Sequence, residues 1–325
     1  MYSISGFKAP WWLKNSHLQT ISAKFFKRNE RCSTVLETVE LPDGDFIDLA
    51  WTEMPDTSNS KPIVIILHGL EGSKDSHYAR GMLNTLSKNG WIGVLMHFRG
   101  CSGRPNRHAS SYHSGDIRDI TYLTKLLTTK YHHHEFAVIG YSLGGNVLSR
   151  YLAEFSKNPF RAAAIICAPL DLASCSERIN QGFSKVYQKY LVGMLINSSQ
   201  QKLKNRTFNN LCPQKLSKIQ TIWQFDDYVT APINGFKNAE DYYLKSSGKL
   251  GLKKIKTPCL IIHAQDDPFM NHQAIIPTQK LPDNIVFEVS KHGGHVGFIA
   301  GKNPLNPIYW LEHRVPQFLK EHLSK

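Results

Sequence analysis

Phe136-Ala137-Val138-Ile139-Gly140-Tyr141-Ser142-Leu143-Gly144-Gly145-Asn146-Val147-Leu148 reads as a short apolar strand, a Gly-x-Ser-x-Gly turn and the start of a helix. That context matters more than the pentapeptide, which alone arises often by chance. A serine on a sharp strand-to-helix turn has its hydroxyl pushed out at the edge of a sheet, and Gly140 and Gly144 let the backbone come close to itself there. The helix behind Ser142 adds N-terminal amides and a dipole that favour negative charge beside the hydroxyl. Ser142 is therefore a candidate nucleophile on a strand-turn-helix elbow.

A serine needs a base, and the base needs a carboxylate to orient it. Downstream, Thr257-Pro258-Cys259-Leu260-Ile261-Ile262-His263 is another buried-strand run, and it empties into Ala264-Gln265-Asp266-Asp267-Pro268. A carboxylate just past a strand end suits the orienting role. Asp267 is preferred because Pro268 fixes the turn after it, with Asp266 as the alternative. After a further strand, Ile285-Val286-Phe287-Glu288-Val289, the loop Ser290-Lys291-His292-Gly293-Gly294-His295-Val296-Gly297-Phe298 offers two histidines. His295 follows the Gly-Gly pair, which lets the loop carry an imidazole back over the sheet to Ser142. His292, nearer the strand, reads as structural.

Upstream, the strand Lys61-Pro62-Ile63-Val64-Ile65-Ile66-Leu67 leads into His68-Gly69-Leu70-Glu71-Gly72. A loop of this kind can turn an amide toward the pocket, so the backbone N–H groups of Leu70 and Leu143 are the expected oxyanion donors. His68 is expected to order the loop through hydrogen bonds rather than act as a second base.

The remaining apolar runs complete an alternating pattern. Strands are expected over 35–41 and 46–52 (an opening hairpin around Pro42-Asp43-Gly44), 63–67, 91–97, 136–139, 162–167, 259–263 and 285–289, and helices over 78–89, 116–129 and 145–155. This predicts an α/β fold with a mostly parallel eight-stranded sheet and helices on both faces. A kink or break is expected in the last helix at Pro316. One interval departs from the alternation: 169–255 has no obvious strand, is rich in Lys, Gln, Asn and Tyr, and reads as a helical lid insertion. Within it, the aspartates of Asp226-Asp227-Tyr228-Val229-Thr230-Ala231-Pro232 are expected to cap a helix. The domain reading is an N-terminal extension over 1–30 packing on a core of 31–168 and 256–325, with the lid between.

A chain of 325 residues can bury a substantial core. Its formal net charge of +13 makes the surface basic without a Lys/Arg block interleaved with aromatics, so no nucleic-acid groove is expected. The six cysteines form no Cys-x-x-Cys pair. With no charged-then-apolar leader and no run near the roughly 20 apolar residues of a membrane span, a cytoplasmic protein is expected. His132-His133-His134 reads as a surface loop entering the Phe136 strand, since consecutive side chains on a regular element cannot converge on one ion. The 9–28 segment mixes Trp11, Trp12, Leu13, Phe25 and Phe26 with Lys14, Lys24, Lys27 and Arg28. It is expected to pack on the core, with peripheral membrane contact as the other reading.

Several motifs together resemble the AB hydrolase superfamily and, within it, the AB hydrolase 4 family of YheT-like esterases. They are Pro10-Trp11-Trp12-Leu13-Lys14-Asn15-Ser16-His17-Leu18-Gln19-Thr20, His68-Gly69-Leu70-Glu71-Gly72-Ser73, Phe98-Arg99-Gly100-Cys101-Ser102-Gly103, Ser114-Gly115-Asp116, the Ser142 turn, the Asp226-Asp227 stretch and His292-Gly293-Gly294-His295-Val296-Gly297-Phe298. The resemblance runs nearly end to end. It implies an α/β-hydrolase fold, a Ser142, Asp267, His295 triad, and hydrolysis of short-chain or lipid acyl esters through an acyl-enzyme, with no metal or organic cofactor. The same triad could instead transfer the acyl group to an alcohol or thiol, and a non-catalytic binding protein is the third reading. Oligomeric state, physiological substrate and acyl length are not legible.

Overall fold

The computed structural model describes residues 3–26, 31–56, 60–204, 212–271, 273, 275–276 and 280–324. Its centre is a nine-stranded sheet. In chain order the strands are β1 (Ser3–Ile4), β2 (Val35–Glu40), β3 (Phe46–Trp51), β4 (Ile63–Leu67), β5 (Ile92–Met96), β6 (Phe136–Tyr141), β7 (Phe160–Ile166), β8 (Cys259–Ala264) and β9 (Ile285–Ser290). Spatially they run β1-β9-β8-β7-β6-β4-β5-β3-β2. All neighbours from β1 to β5 pair in parallel, while β3 is antiparallel to both β5 and β2. The eight strands expected from apolar runs are all in the sheet. The ninth, β1, has two residues, too few to leave a period in the sequence.

Both faces of the sheet are covered because β4 to β6 are apolar at nearly every position rather than at alternate ones. Ile63, Ile65 and Leu67 point into one core with Leu123 of helix α3 and Val147 of helix α4; Val64 and Ile66 point into the other with Met82 and Leu83 of helix α2. These helices span Ser16–Phe26 (α1), His77–Lys88 (α2), Arg118–Lys130 (α3) and Leu143–Glu154 (α4). The helix Leu311–Lys320 runs through Pro316 rather than breaking there, as the sequence had suggested. Val315, Phe318 and Leu319 beside the proline are buried in the second core, so packing offsets the lost backbone hydrogen bond.

The described residues between β7 and β8 form no strand. They contribute α5 (Leu172–Ile179), α6 (Ser184–Leu203) and shorter turns, among them a π-helical turn Asp226–Thr230 and the helix Ala239–Ser246. The α4 helix holds this stretch. Asn146 Nδ2 donates to the carbonyls of Ser114 and Ser246, both at 2.8 Å, and its Oδ1 accepts from Gly248 N at 2.9 Å.

Register brings the carboxyl ends of the central strands level, with Leu67 opposite Gly140 and Tyr141 opposite Ile166. The chain crosses from β4 to β5 on one side and continues as β6 on the other. Such a switch in strand order leaves a crevice outside the carboxyl ends.

Candidate active site

Ser142 occupies that crevice with φ 50° and ψ −119°, a backbone conformation costly for any residue but glycine. Close approach around the turn excludes side chains. A Cβ on Gly140 would lie 2.6 Å from the Gly144 carbonyl oxygen, and one on Gly144 would lie 2.5 Å from the Leu67 carbonyl oxygen. The packing that enforces these contacts holds Ser142 in its strained conformation at the amino end of α4.

His295 Nε2 lies 2.9 Å from Ser142 Oγ, and His295 Nδ1 lies 2.8 Å from Asp267 Oδ2. Asp267 is buried, and its Oδ1 accepts from Phe269 N at 2.8 Å, so both carboxylate oxygens are held. The Phe269 ring stacks on the imidazole, centroids 4.1 Å apart at 18°. Asp266 faces elsewhere. Its Oδ1 accepts from Gly294 N at 3.0 Å and its Oδ2 lies 3.3 Å from His292 Nδ1, so this pair braces the loop that carries His295.

The two expected oxyanion donors are both positioned as loose ends. Gly69 N donates to the Tyr78 hydroxyl at 2.8 Å and Glu71 N to the Tyr112 hydroxyl at 2.7 Å, whereas among the described residues no hydrogen bond involves Leu70 N between them. Leu143 N stands at the first turn of α4, where helix geometry supplies no partner. The His68 ring sits beneath this loop. Burial pulls its pKa down to about 3, so it is neutral. Nε2 accepts from Phe98 N at 3.0 Å, which leaves the proton on Nδ1 to be donated to the Gly69 carbonyl at 2.6 Å. Phe98 is in turn fixed by its neighbour Arg99, whose buried guanidinium makes paired bonds of 2.8 and 2.6 Å to Asp119 and a third of 2.7 Å to Asp43.

The N-terminal segment is part of this architecture, and its role has no periodic signature in the sequence. Asn15 caps α1 by accepting from His17 N and Leu18 N. From that helix Thr20 Oγ1 accepts from His295 N at 2.9 Å while donating to the Ser16 carbonyl. Gln19 is buried, donating to the carbonyls of Leu13 and Ile299 and accepting from Ile299 N at 2.8 Å. Gly294 has φ +59° and lies against this helix; a Cβ there would sit 2.5 Å from the Ser16 carbonyl oxygen. Lys27 and Arg28, read with this segment from sequence, lie outside the described residues.

A cavity of about 360 Å³ opens above Ser142, lined mainly by apolar side chains such as Leu172, Ile179, Leu195, Phe225 and Val229. Two carboxyls interrupt the lining. Glu71 is held by Tyr112 and by Ser198 of α6, and burial raises its pKa. Asp226, in the π-helical turn, accepts from the Thr230 hydroxyl at 2.7 Å and the Tyr243 hydroxyl at 2.8 Å, and burial raises it to about 6. Neither aspartate is the N-cap expected of the pair: Thr221 caps the short helix before them and Asn238 caps Ala239–Ser246, while Asp227 accepts from Ala239 N at 2.9 Å beside that second cap.

Cys167 Sγ, Asp267 and His295 present possible ligand atoms within 4.8 Å of one another. Burial pushes the Cys167 thiol well above its usual pKa, and its sulfur accepts from Val296 N at 3.4 Å. With the other two bonded to each other, the cluster is a hydrogen-bonded network rather than a metal-ligand set. His134 of the histidine run is spent on the Lys61 carbonyl at 2.7 Å. No helix among the described residues is long and apolar enough to cross a membrane.

Comparison with known proteins concerns the family and the fold. Residues 62–302 match the family model described as alpha/beta hydrolase fold. An Escherichia coli (strain K12) protein named "Putative esterase YheT" is 44% identical over 314 residues, covering 95% of this chain and 92% of that one. A Saccharomyces cerevisiae monoacylglycerol lipase is 30% identical over 81% of this chain and 60% of its own length. Among solved structures, a Pyrococcus furiosus esterase superposes with a TM-score of 0.57 over the whole of both chains at 18% identity, a likeness of fold.

Proposed function

The chain belongs to the α/β-hydrolase family as a YheT-like hydrolase of the esterase and lipase type, and we propose that it cleaves carboxylic esters through Ser142, His295 and Asp267. The observation that carries this reading is the unbroken relay from Ser142 Oγ through both nitrogens of His295 to a buried carboxylate, at 2.9 and 2.8 Å.

Asp267 holds the proton of His295 on Nδ1, leaving the Nε2 lone pair to take the proton of Ser142 as Oγ attacks the ester carbonyl. The carbonyl oxygen gains negative charge facing Leu70 N and Leu143 N, donors with no competing partner among the described residues, at the positive end of α4. Imidazolium then protonates the leaving alcohol, and the acyl group stays on Ser142 with its chain in the apolar cavity. Water, deprotonated by His295, releases the acid. The helices between β7 and β8 act as a lid that shields these charges from solvent, which strengthens each interaction. The cavity and its apolar wall suit a lipid or medium-length acyl ester.

The test is labelling by a fluorophosphonate probe together with hydrolysis of p-nitrophenyl esters of graded acyl length, in wild type and Ser142→Ala. Labelling and turnover that both disappear in the variant are expected. Labelling without hydrolysis, but with product formed on an added alcohol, would convert the reading to acyl transfer. A folded protein that neither labels nor turns over any ester would end it.

A further inference from the structure

One outward face takes no part in the chemistry above. Leu18, Ile21 and Phe25 recur at i, i+3 and i+7 along α1, and all are exposed, Phe25 by 67%. Phe183, Val186 and Tyr190 recur at the same spacing from the residue before α6 into its second turn, and are exposed as well, Phe183 by 58%. Trp11, ahead of α1, is 75% exposed. Single exposed apolar side chains are ordinary, but two stripes of one period on adjoining helices are a patch.

The stripes adjoin through side chains of the two helices. The His17 ring lies 4.6 Å from that of Phe183, His17 Nδ1 is 3.3 Å from the Tyr187 hydroxyl, and Lys24 Nζ stands 5.3 Å over the Tyr190 ring. Neither helix contains an Asp or Glu. Lys14, Lys24, Lys185 and Lys189 surround the apolar residues and are all exposed. Thr20 of α1 and Tyr190 of α6 also line the cavity, so the patch borders it.

We infer that the α1–α6 face docks on an anionic lipid surface. An apolar stripe rimmed by lysines, with no acid between, has the chemistry of an interfacial helix, whose apolar side chains enter the acyl boundary while ammonium groups stay at the headgroups. Each lysine near such a surface adds attraction, and the chain's +13 charge draws the whole protein toward it. Docked this way, the cavity edge at Thr20 and Tyr190 meets the lipids, and an ester could pass from bilayer to cavity without crossing water. The inference concerns binding and stands whether or not Ser142 cleaves esters.

The full chain is floated with vesicles of phosphatidylcholine alone and of phosphatidylcholine mixed with phosphatidylglycerol, at low and high salt. Binding is expected on the anionic vesicles only, weakened about tenfold or more in Phe25→Ser/Val186→Ser and several-fold in Lys24→Glu/Lys185→Glu or at high salt. Unchanged melting temperature in both variants separates loss of docking from loss of fold. Failure of wild type to float with anionic vesicles, or equal flotation of the apolar variant, would overturn the inference. So would a wild-type dimer in light scattering that Phe25→Ser/Val186→Ser dissociates, because the patch would then belong to a second copy of the chain.

Discussion

The Tyr112 hydroxyl accepts the Glu71 amide at 2.7 Å and donates to the carboxylate of the same residue at 2.9 Å. One oxygen thus closes a ring with both ends of Glu71, pinning it at φ 50° directly after Leu70. The Glu71 carboxylate also receives the Ser198 hydroxyl from α6, so the loop after β4 and helix α6 share a fastening.

Tyr112→Phe removes that ring while keeping the aromatic stack on Phe98, whose centroid lies 5.0 Å away. The Glu71 amide is then free to compete with Leu70 for the pocket. The expected result is a fall in kcat of about 10- to 100-fold with KM changed far less, and a stability loss of about 1–3 kcal/mol. Steady-state kinetics on a soluble ester and urea unfolding check both, and an unaltered kcat would detach the ring from catalysis.

The neighbouring aspartates separate cleanly. Asp267→Asn should cost about 10⁴-fold in kcat, because an amide there favours the wrong imidazole tautomer. Asp266→Asn loosens only the brace to Gly294 and His292, and kcat should fall by no more than about tenfold. Comparable losses in the two variants would contradict the assignment of Asp267 as the partner of His295.

Thr20 is a positioning residue for His295. Thr20→Ala frees the His295 amide and is expected to lower kcat about tenfold, with Thr20→Ser restoring most of it, since serine keeps the accepting hydroxyl. If alanine and serine behave alike, the hydroxyl is not the working part.

Asp226 gives stability a pH slope. Burial raises its carboxyl to about 6, so between about pH 4 and pH 6 the folded protein holds a proton that the unfolded chain has released. Its contribution is therefore fully present at low pH and is lost as pH rises through that window, by on the order of 1–2 kcal/mol once solvent reaching the cavity is allowed for. Asp226→Asn has no such slope. The melting temperature of wild type relative to the variant should drop by a few degrees across the window. Parallel melting curves at every pH would refute it.

Much of the framework was legible because the central strands are apolar at nearly every position and because the Ser142 turn sits between a strand and a helix. Proximity was not. Asp266 and Asp267 differ by one residue in the chain and point to different partners, which only the turn after β8 decides. Tyr112 left no signal, and Gln19 and Thr20 stood at the end of a family-like motif with no role legible in it, since each works through a backbone group tens to hundreds of residues away. The part of Asp226-Asp227 that faces the cavity was hidden by the π-helical turn, which shifts side chains off the ordinary helical spacing. The cap expected of the pair lies elsewhere, at Thr221 and Asn238, and Asp227 only adds a bond to Ala239 N.

Gln19 and Ile299 exchange hydrogen bonds across 280 residues. During synthesis the first of them leaves the ribosome long before the second exists, so α1 must wait for its partner. A chain halted after Ser290 but before Ile299 holds Ser142 and the sheet through β9, yet lacks the partner that fixes Gln19 of α1 against the loop of His295. On the proposed reading of Ser142 and His295, their site is therefore among the last parts of the molecule to be completed, and a chain stopped short of Ile299 carries the nucleophile without a firmly held base.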